Sequence, residues 1–184
     1  MAINFSNAKY YPDVAAGGVF IGSTAAAGVA FPAAGGTAMT FGLWNTATNK
    51  NAVLLGISLS YVSGTITVAG FGFTIIPNAG FAIGTAAPIS AFTGGTPTNA
   101  LIGSGQASAM QFTPSAATIV AGTRFQFIGI GHEIATAGPG MNAGFQDLNG
   151  IPIVTPGAAV FVTAAIAQTG VFSTTLYWSE ISAS

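Results

Sequence analysis

Hydrophobic residues alternate with small or polar residues over long stretches of this chain. The clearest case is Ala52–Val62, where large apolar side chains from position 55 to 61 alternate with Gly56, Ser58 and Ser60. The large set is Leu55, Ile57, Leu59 and Tyr61. The stretch Ile66–Ile76 repeats the pattern with Phe71, Phe73 and Ile75. A period of two residues predicts β-strands with one buried face.

Similar patterns predict eight to nine strands in all. The other predicted strands are Gly18–Gly22, Thr37–Asn45, Ala107–Phe112, Thr118–Ile130, Ile151–Val154, Ala158–Gln168 and Phe172–Ile181, with irregular stretches at Pro77–Gly105 and Ala135–Gly150. No segment carries an apolar helical stripe bounded by capping residues. Because glycine or proline recurs every 8–12 residues, we predict an all-β fold, an antiparallel β-sandwich of jelly-roll-like form.

The first 16 residues differ from the rest and predict an extended N-terminal arm. Phe5, Tyr10 and Tyr11 give this segment three aromatic side chains, which favour docking on the domain or on a neighbouring copy. Residues 17–184 then form a single β-sandwich domain, since this length suffices for one core.

The amino-acid composition indicates that the folded chain tends to associate with other protein surfaces. Only 4% of the residues are charged, against about 25% in ordinary domains, while 51% are hydrophobic and 26 are glycine. Such weakly charged surfaces associate readily. The net charge of −1 gives no attraction to nucleic acid, and no apolar run of about 18 residues predicts a membrane span. The N-terminus lacks a signal-peptide pattern, so we expect synthesis in the cytoplasm.

Several segments resemble bacteriophage virion proteins. They are Leu43-Trp44-Asn45, the stretches 49–55 and 58–65, Pro156-Gly157, and Leu176-Tyr177-Trp178-Ser179-Glu180. In those proteins a short polar turn leads into a long strand, and a strand with an aromatic pair closes the domain. The resemblance is to capsid decoration (cement) or head-fibre proteins, which are typically β-sandwiches that assemble as trimers on the capsid.

The sequence contains no recognisable motif for catalysis, metal binding or cofactor binding. His132 is the single histidine, and neighbouring Glu133 points to the opposite face of a strand. No G-x-S-x-G nucleophile motif is present, and Gly129-Ile130-Gly131 is followed by no helix that receives a phosphate. We therefore predict a non-enzymatic protein without cofactor or metal.

Rare charges and paired aromatics are the candidate functional residues. Arg124, Glu133 and Glu180 are predicted to make specific contacts within or between copies, together with Phe5, Tyr10 and Tyr11 of the arm. The alternative for the three charged residues is that they are solvated surface charges. An alternative role for Trp44, Tyr177 and Trp178 is a platform that stacks on sugar rings. The opposing interpretation is that these aromatics belong to the core.

The leading hypothesis is a structural protein that decorates and stabilises a phage capsid, on the capsid surface, as a homotrimer in contact with the major capsid protein. One alternative is a receptor- or glycan-binding module of a head or tail fibre. A second alternative is a single-jelly-roll major capsid protein, against which stands the missing basic arm.

Overall fold

Fifteen strands and one short helix form in the residues that the structure describes. The computed structural model describes residues 9–84, 87–120, 124–132 and 144–183. For residues 124–132 it describes the backbone and, of the side chains, only that of Gln126. The elements are α1 (Tyr11–Ala15), β1 (Val19–Ser23), β2 (Val29–Ala30), β3 (Ala38–Met39), β4 (Gly42–Trp44), β5 (Lys50–Ser63), β6 (Ala69–Ile76), β7 (Ile89–Phe92), β8 (Thr98–Asn99), β9 (Gln111–Thr113), β10 (Ala117–Ile119), β11 (Arg124–His132), β12 (Gly144–Asp147), β13 (Ile153–Val154), β14 (Ala159–Ala164) and β15 (Val171–Ser182).

The strands form three antiparallel sheets. A seven-stranded sheet has the order β12-β5-β15-β1-β8, with β13 also paired to β5 and β2 to β15. A five-stranded sheet has the order β11-β6-β14-β4-β9, and a three-stranded sheet has the order β3-β10-β7. The prediction of an all-β antiparallel sandwich is confirmed.

The main core lies between the seven-stranded and five-stranded sheets. Both sheets contribute side chains to one buried cluster, among them Leu176 and Trp178 from β15 and Phe71 and Phe73 from β6. The Trp178 ring lies between the rings of Phe20 and Phe112, at centroid distances of 6.2 and 6.1 Å. Alternation in these strands therefore aims the large side chains into the sandwich, as their period predicts.

A second core covers part of the other face of the five-stranded sheet. Trp44, Ile76 and Phe161 point away from the main core and pack against Ile89 and Ile119 of the three-stranded sheet. The small sheet is therefore a third layer. The segment between β6 and β11 supplies two of its strands, and it also adds β8 and β9 to one edge of each large sheet.

The predicted face of Leu55 in β5 was wrong. The β5–β15 register shifts between Tyr177 and Trp178, which pair with Gly56 and Leu54 and leave Leu55 as the extra residue of a β-bulge. Ala52 and Leu54 join the main core before the bulge, and Ile57 and Leu59 join it afterwards. Leu55 is buried outside both clusters, because one extra residue reverses the alternation.

Several predicted boundaries were wrong. The single strand predicted over Thr37–Asn45 is two, β3 and β4, which belong to different sheets. The strand predicted over Thr118–Ile130 is likewise divided into β10 and β11. Strands β7, β8 and β12 lie in stretches predicted to be irregular, and α1 forms where no helix was predicted. Short elements of two to five residues carry too little periodic pattern to be detected.

Candidate interaction surface

The side of the seven-stranded sheet that points away from the main core is an almost uncharged surface, which we call the outer face. Its side chains alternate with those of the core along β1, β5, β12 and β15. Apolar and aromatic members are Ile21, Val53, Phe145, Ile153, Tyr177 and Ile181, and hydroxyl-bearing members are Ser23, Ser58, Ser60, Ser173 and Thr175. Among the strand residues of this face, only Asp147 is charged.

An exposed aromatic pair stands on this face. Phe145 is 56% exposed, and its ring contacts the Tyr177 ring edge-to-face at a centroid distance of 5.6 Å. A Cβ atom at Gly56 would lie only 2.3 Å from the Phe145 ring. The ring thus lies directly on the sheet backbone because position 56 has no side chain. Phe145 was not among the predicted functional residues, because it lies in a stretch predicted to be irregular.

The N-terminal arm docks at the border of this face through Asp147. The Lys9 ammonium donates to Asp147 Oδ2 over 2.6 Å and also to the side chain of Asn149, and the Tyr10 hydroxyl donates to Asp147 Oδ1 over 2.6 Å. These hydrogen bonds, the one from Lys9 foremost, lower the pKa of Asp147 from 3.8 to about 2. Burial is the main cause that raises the pKa of Tyr10. Of the predicted arm residues, Tyr10 therefore contacts this chain's own domain.

Glu180 anchors a different segment, on the inner side of the same sheet. Its side chain is 1% exposed and accepts hydrogen bonds from Lys50 Nζ at 3.1 Å, Ser108 Oγ at 2.5 Å and the Ala109 N–H at 3.1 Å. The Trp178 indole N–H is 3.4 Å from the same carboxylate. Glu180, predicted to make specific contacts, makes these within its own chain and holds residues 108–109 against β15.

The remaining predicted contact residues have different outcomes. Phe5 and Glu133 lie outside the described residues. Arg124 begins β11, and its side chain is not among those described. Tyr11 begins α1 and is 47% exposed.

The predicted sugar platform is corrected at two of its three residues. Trp178 is 0% exposed in the main core. Trp44 is 2% exposed, donates its indole N–H to Gly80 O over 2.8 Å, and packs against Phe92 in the second core. Neither ring offers an open face, because both strands are covered by a neighbouring layer. Tyr177 alone of the three reaches the outer face.

Potential metal ligands do not cluster in the described ranges. No three His, Cys, Asp or Glu side chains come together there. The backbone of His132 ends strand β11, and neighbouring Glu133 is outside the described residues. No helix within the described part of the chain is long and apolar enough to cross a membrane.

Comparison with known proteins adds no assignment. No family model matches the chain, and no curated protein or solved structure matches it.

Proposed function

We propose that this chain is a non-enzymatic structural protein of a virus particle, which decorates and stabilises the capsid as a homotrimer. The observation that carries the proposal is the outer face, a broad sheet surface with exposed apolar side chains and a single charged strand residue. Exposed apolar and aromatic side chains that share one sheet face with hydroxyl groups and almost no charge favour an interaction site. Association with further copies and with the major capsid protein removes it from water.

The chemistry of the outer face suits a protein partner. The centres of protein interfaces are depleted in charged residues and enriched in aromatic ones. Phe145, Ile153 and Ile181 are 56%, 50% and 46% exposed, so each has apolar area to bury. Burial stabilises by roughly 25 cal/mol per Å² of apolar area. Because the contact is repeated over many symmetric copies, a modest individual interface is sufficient to stabilise the particle.

The strand order supports jelly-roll connectivity. Eight strands, β1, β4, β5, β6, β11, β12, β14 and β15, form the adjacent sets β12-β5-β15-β1 and β11-β6-β14-β4. Successive strands change sheet at each connection except between β6 and β11. Two four-stranded sheets in this order are the arrangement of a jelly roll, a fold common in viral capsids. We infer that the sandwich belongs to this class.

The same strand order favours a second candidate, a single-jelly-roll major capsid protein. The two roles differ in how the chain assembles, because a shell protein closes into particles by itself whereas a decoration protein needs a capsid. The fibre-module alternative has less support from its predicted platform, since Trp44 and Trp178 are buried.

The test is assembly of the purified chain. Light scattering after gel filtration should give the mass of a trimer, and Phe145→Glu should reduce it to a monomer by placing a charge on the outer face. The matched control is Val120→Glu, at a position 61% exposed in the third layer after β10, which should leave the mass unchanged. Closed shells in electron micrographs would support the capsid protein instead. A monomer at every concentration would contradict both.

In purified virus particles, quantitative mass spectrometry should give a copy number equal to that of the major capsid protein or a simple fraction of it. A much smaller copy number would favour a fibre, and absence from particles would contradict the structural role.

A further inference from the structure

A cleft lined by aromatic rings lies beside the third layer. Its volume is about 300 Å³, and Trp44, Phe81 and Phe92 line it together with the polar side chains of Thr46 and Gln111. The indole is held by its hydrogen bond to Gly80, and the Phe92 ring lies 5.6 Å from it. Phe81 forms an accessible wall, since it is 52% exposed. Trp44 thus forms the buried floor of the cleft, and Phe81 and the half-buried Phe92 are the rings that a ligand can contact.

A second hollow adjoins this cleft at Gln111. Its volume is about 500 Å³, and it is lined by residues 95–99 and 102–108 together with Met110 and Gln111. Gln111 lines both cavities, and the consecutive Gly94 and Gly95 line one each. Hydroxyl and amide groups predominate among the polar lining, including Thr96, Ser104 and Gln106. The residues that line the two cavities include no charged side chain.

This lining selects among classes of ligand. Aromatic faces stack on the apolar C–H faces of pyranose rings, and amides and hydroxyls pair with sugar hydroxyls. An entirely apolar ligand would displace water from these hydroxyl and amide groups and leave them without partners, which is costly. A charged ligand would find no opposite charge to replace its hydration. Both volumes fall within the range of about 300–1,000 Å³ typical of small-molecule sites.

We propose that the two cavities form one binding site for a neutral oligosaccharide. One pyranose ring stacks on Phe81 in the cleft, and the next sugar lies over the second hollow, with Gln111 between them. This site goes beyond the assembly role and does not rest on it, because it lies on the third layer and the β8–β9 edge rather than on the outer face. Of the three residues predicted to form a sugar platform, only Trp44 lines this site, and it does so as the buried floor of the cleft.

The experiment is calorimetric titration and saturation-transfer NMR with four probes, the hexasaccharides of glucose in α-1,4 and β-1,4 linkage, of mannose and of N-acetylglucosamine. At least one should bind, and Phe81→Ala and Gln111→Ala should each weaken it at least about tenfold, which corresponds to about 1.4 kcal/mol. Ile166→Ala, at a position that is 55% exposed, lines neither cavity and lies outside the outer face, is the control and should leave the affinity unchanged. An oligogalacturonate of the same length should bind at least about tenfold more weakly than the best neutral probe.

Three outcomes would overturn the proposal. The first is no binding of any probe at about 10 mM, well above the Kd of weak specific sites. The second is binding that survives both cleft variants, and the third is equal affinity for the charged oligosaccharide. If Phe81→Ala changes the oligomeric mass while every sugar is inert, the cleft receives a neighbouring copy instead. Circular dichroism of each variant verifies that it folds, and Phe81 tolerates truncation because it is half-exposed.

Discussion

Two lysine–carboxylate pairs hold distant segments to the seven-stranded sheet, and they do so in opposite surroundings. Glu180 is 1% exposed and binds Lys50 together with the 108–109 segment. Asp147 is 37% exposed and binds Lys9 and Tyr10 of the arm. Each carboxylate accepts several hydrogen bonds, so the number of bonds does not distinguish them. Water can replace the partners of Asp147, but it has almost no access to the Glu180 carboxylate.

This difference indicates that burial determines how much each pair contributes to the stability of the fold. An exposed ion pair competes with water and salt and contributes little to stability. A buried carboxylate whose donors lose their partner leaves polar groups without solvation. We therefore expect the Glu180 cluster to be part of the stable fold and the Asp147 cluster to be a reversible attachment of the arm.

The largest effect is expected from removing the buried carboxylate. Glu180→Ala leaves the Ser108 hydroxyl and the Ala109 N–H without an acceptor, and should lower the free energy of unfolding by about 2–4 kcal/mol. Urea denaturation followed by tryptophan fluorescence measures the change. Glu180→Gln retains an acceptor oxygen and should lose less. A change below about 0.5 kcal/mol, as for a surface substitution, would contradict the buried anchor.

A smaller loss of stability is expected at low pH. The pKa of Asp147 is lowered from 3.8 to about 2, so its contribution to stability is fully present above pH 3.8 and disappears as the pH falls through 2. Carboxyl carbon NMR should give this pKa directly, and Lys9→Met should move it back towards 3.8, because Lys9 is the main cause of the shift.

Asp147→Asn is the control for this acid effect. The difference between its stability curve and that of the wild type isolates this carboxylate from the other acidic groups. A wild-type pKa near 3.8 would show that the arm is not docked on Asp147 in solution.

The smallest effect is expected from salt. Trypsin cleaves after Lys9, Lys50 or Arg124, so the rate of cleavage after Lys9 reports release of the arm. Raising sodium chloride from about 0.1 to 1 M shortens the screening length from about 10 to 3 Å and should modestly accelerate this cleavage. Cleavage after Lys50, whose partner Glu180 is buried, should not change. Equal acceleration at both sites would remove the distinction between the two clusters.

Sequence pattern predicted the long elements and failed at local departures from regularity. Strands β5, β6 and β15 have strong period-two alternation, and the structure places them close to the predicted stretches. Leu55 was assigned to the wrong face because a bulge depends on the partner strand. The candidate residues near Glu180 were incomplete for a similar reason, since Ser108 and Lys50 are 72 and 130 positions away in sequence.

By itself, the sequence determined the all-β class, the positions of the main strands and the scarcity of charge, because alternation and composition are local properties. Tertiary structure alone decided which aromatic rings are covered and which are open. Trp44 and Trp178 are buried because a second layer packs over each, whereas Phe145 is exposed on a sheet face that nothing in the described residues covers completely. Side-chain type cannot distinguish these cases, since exposure depends on which distant strand lies opposite.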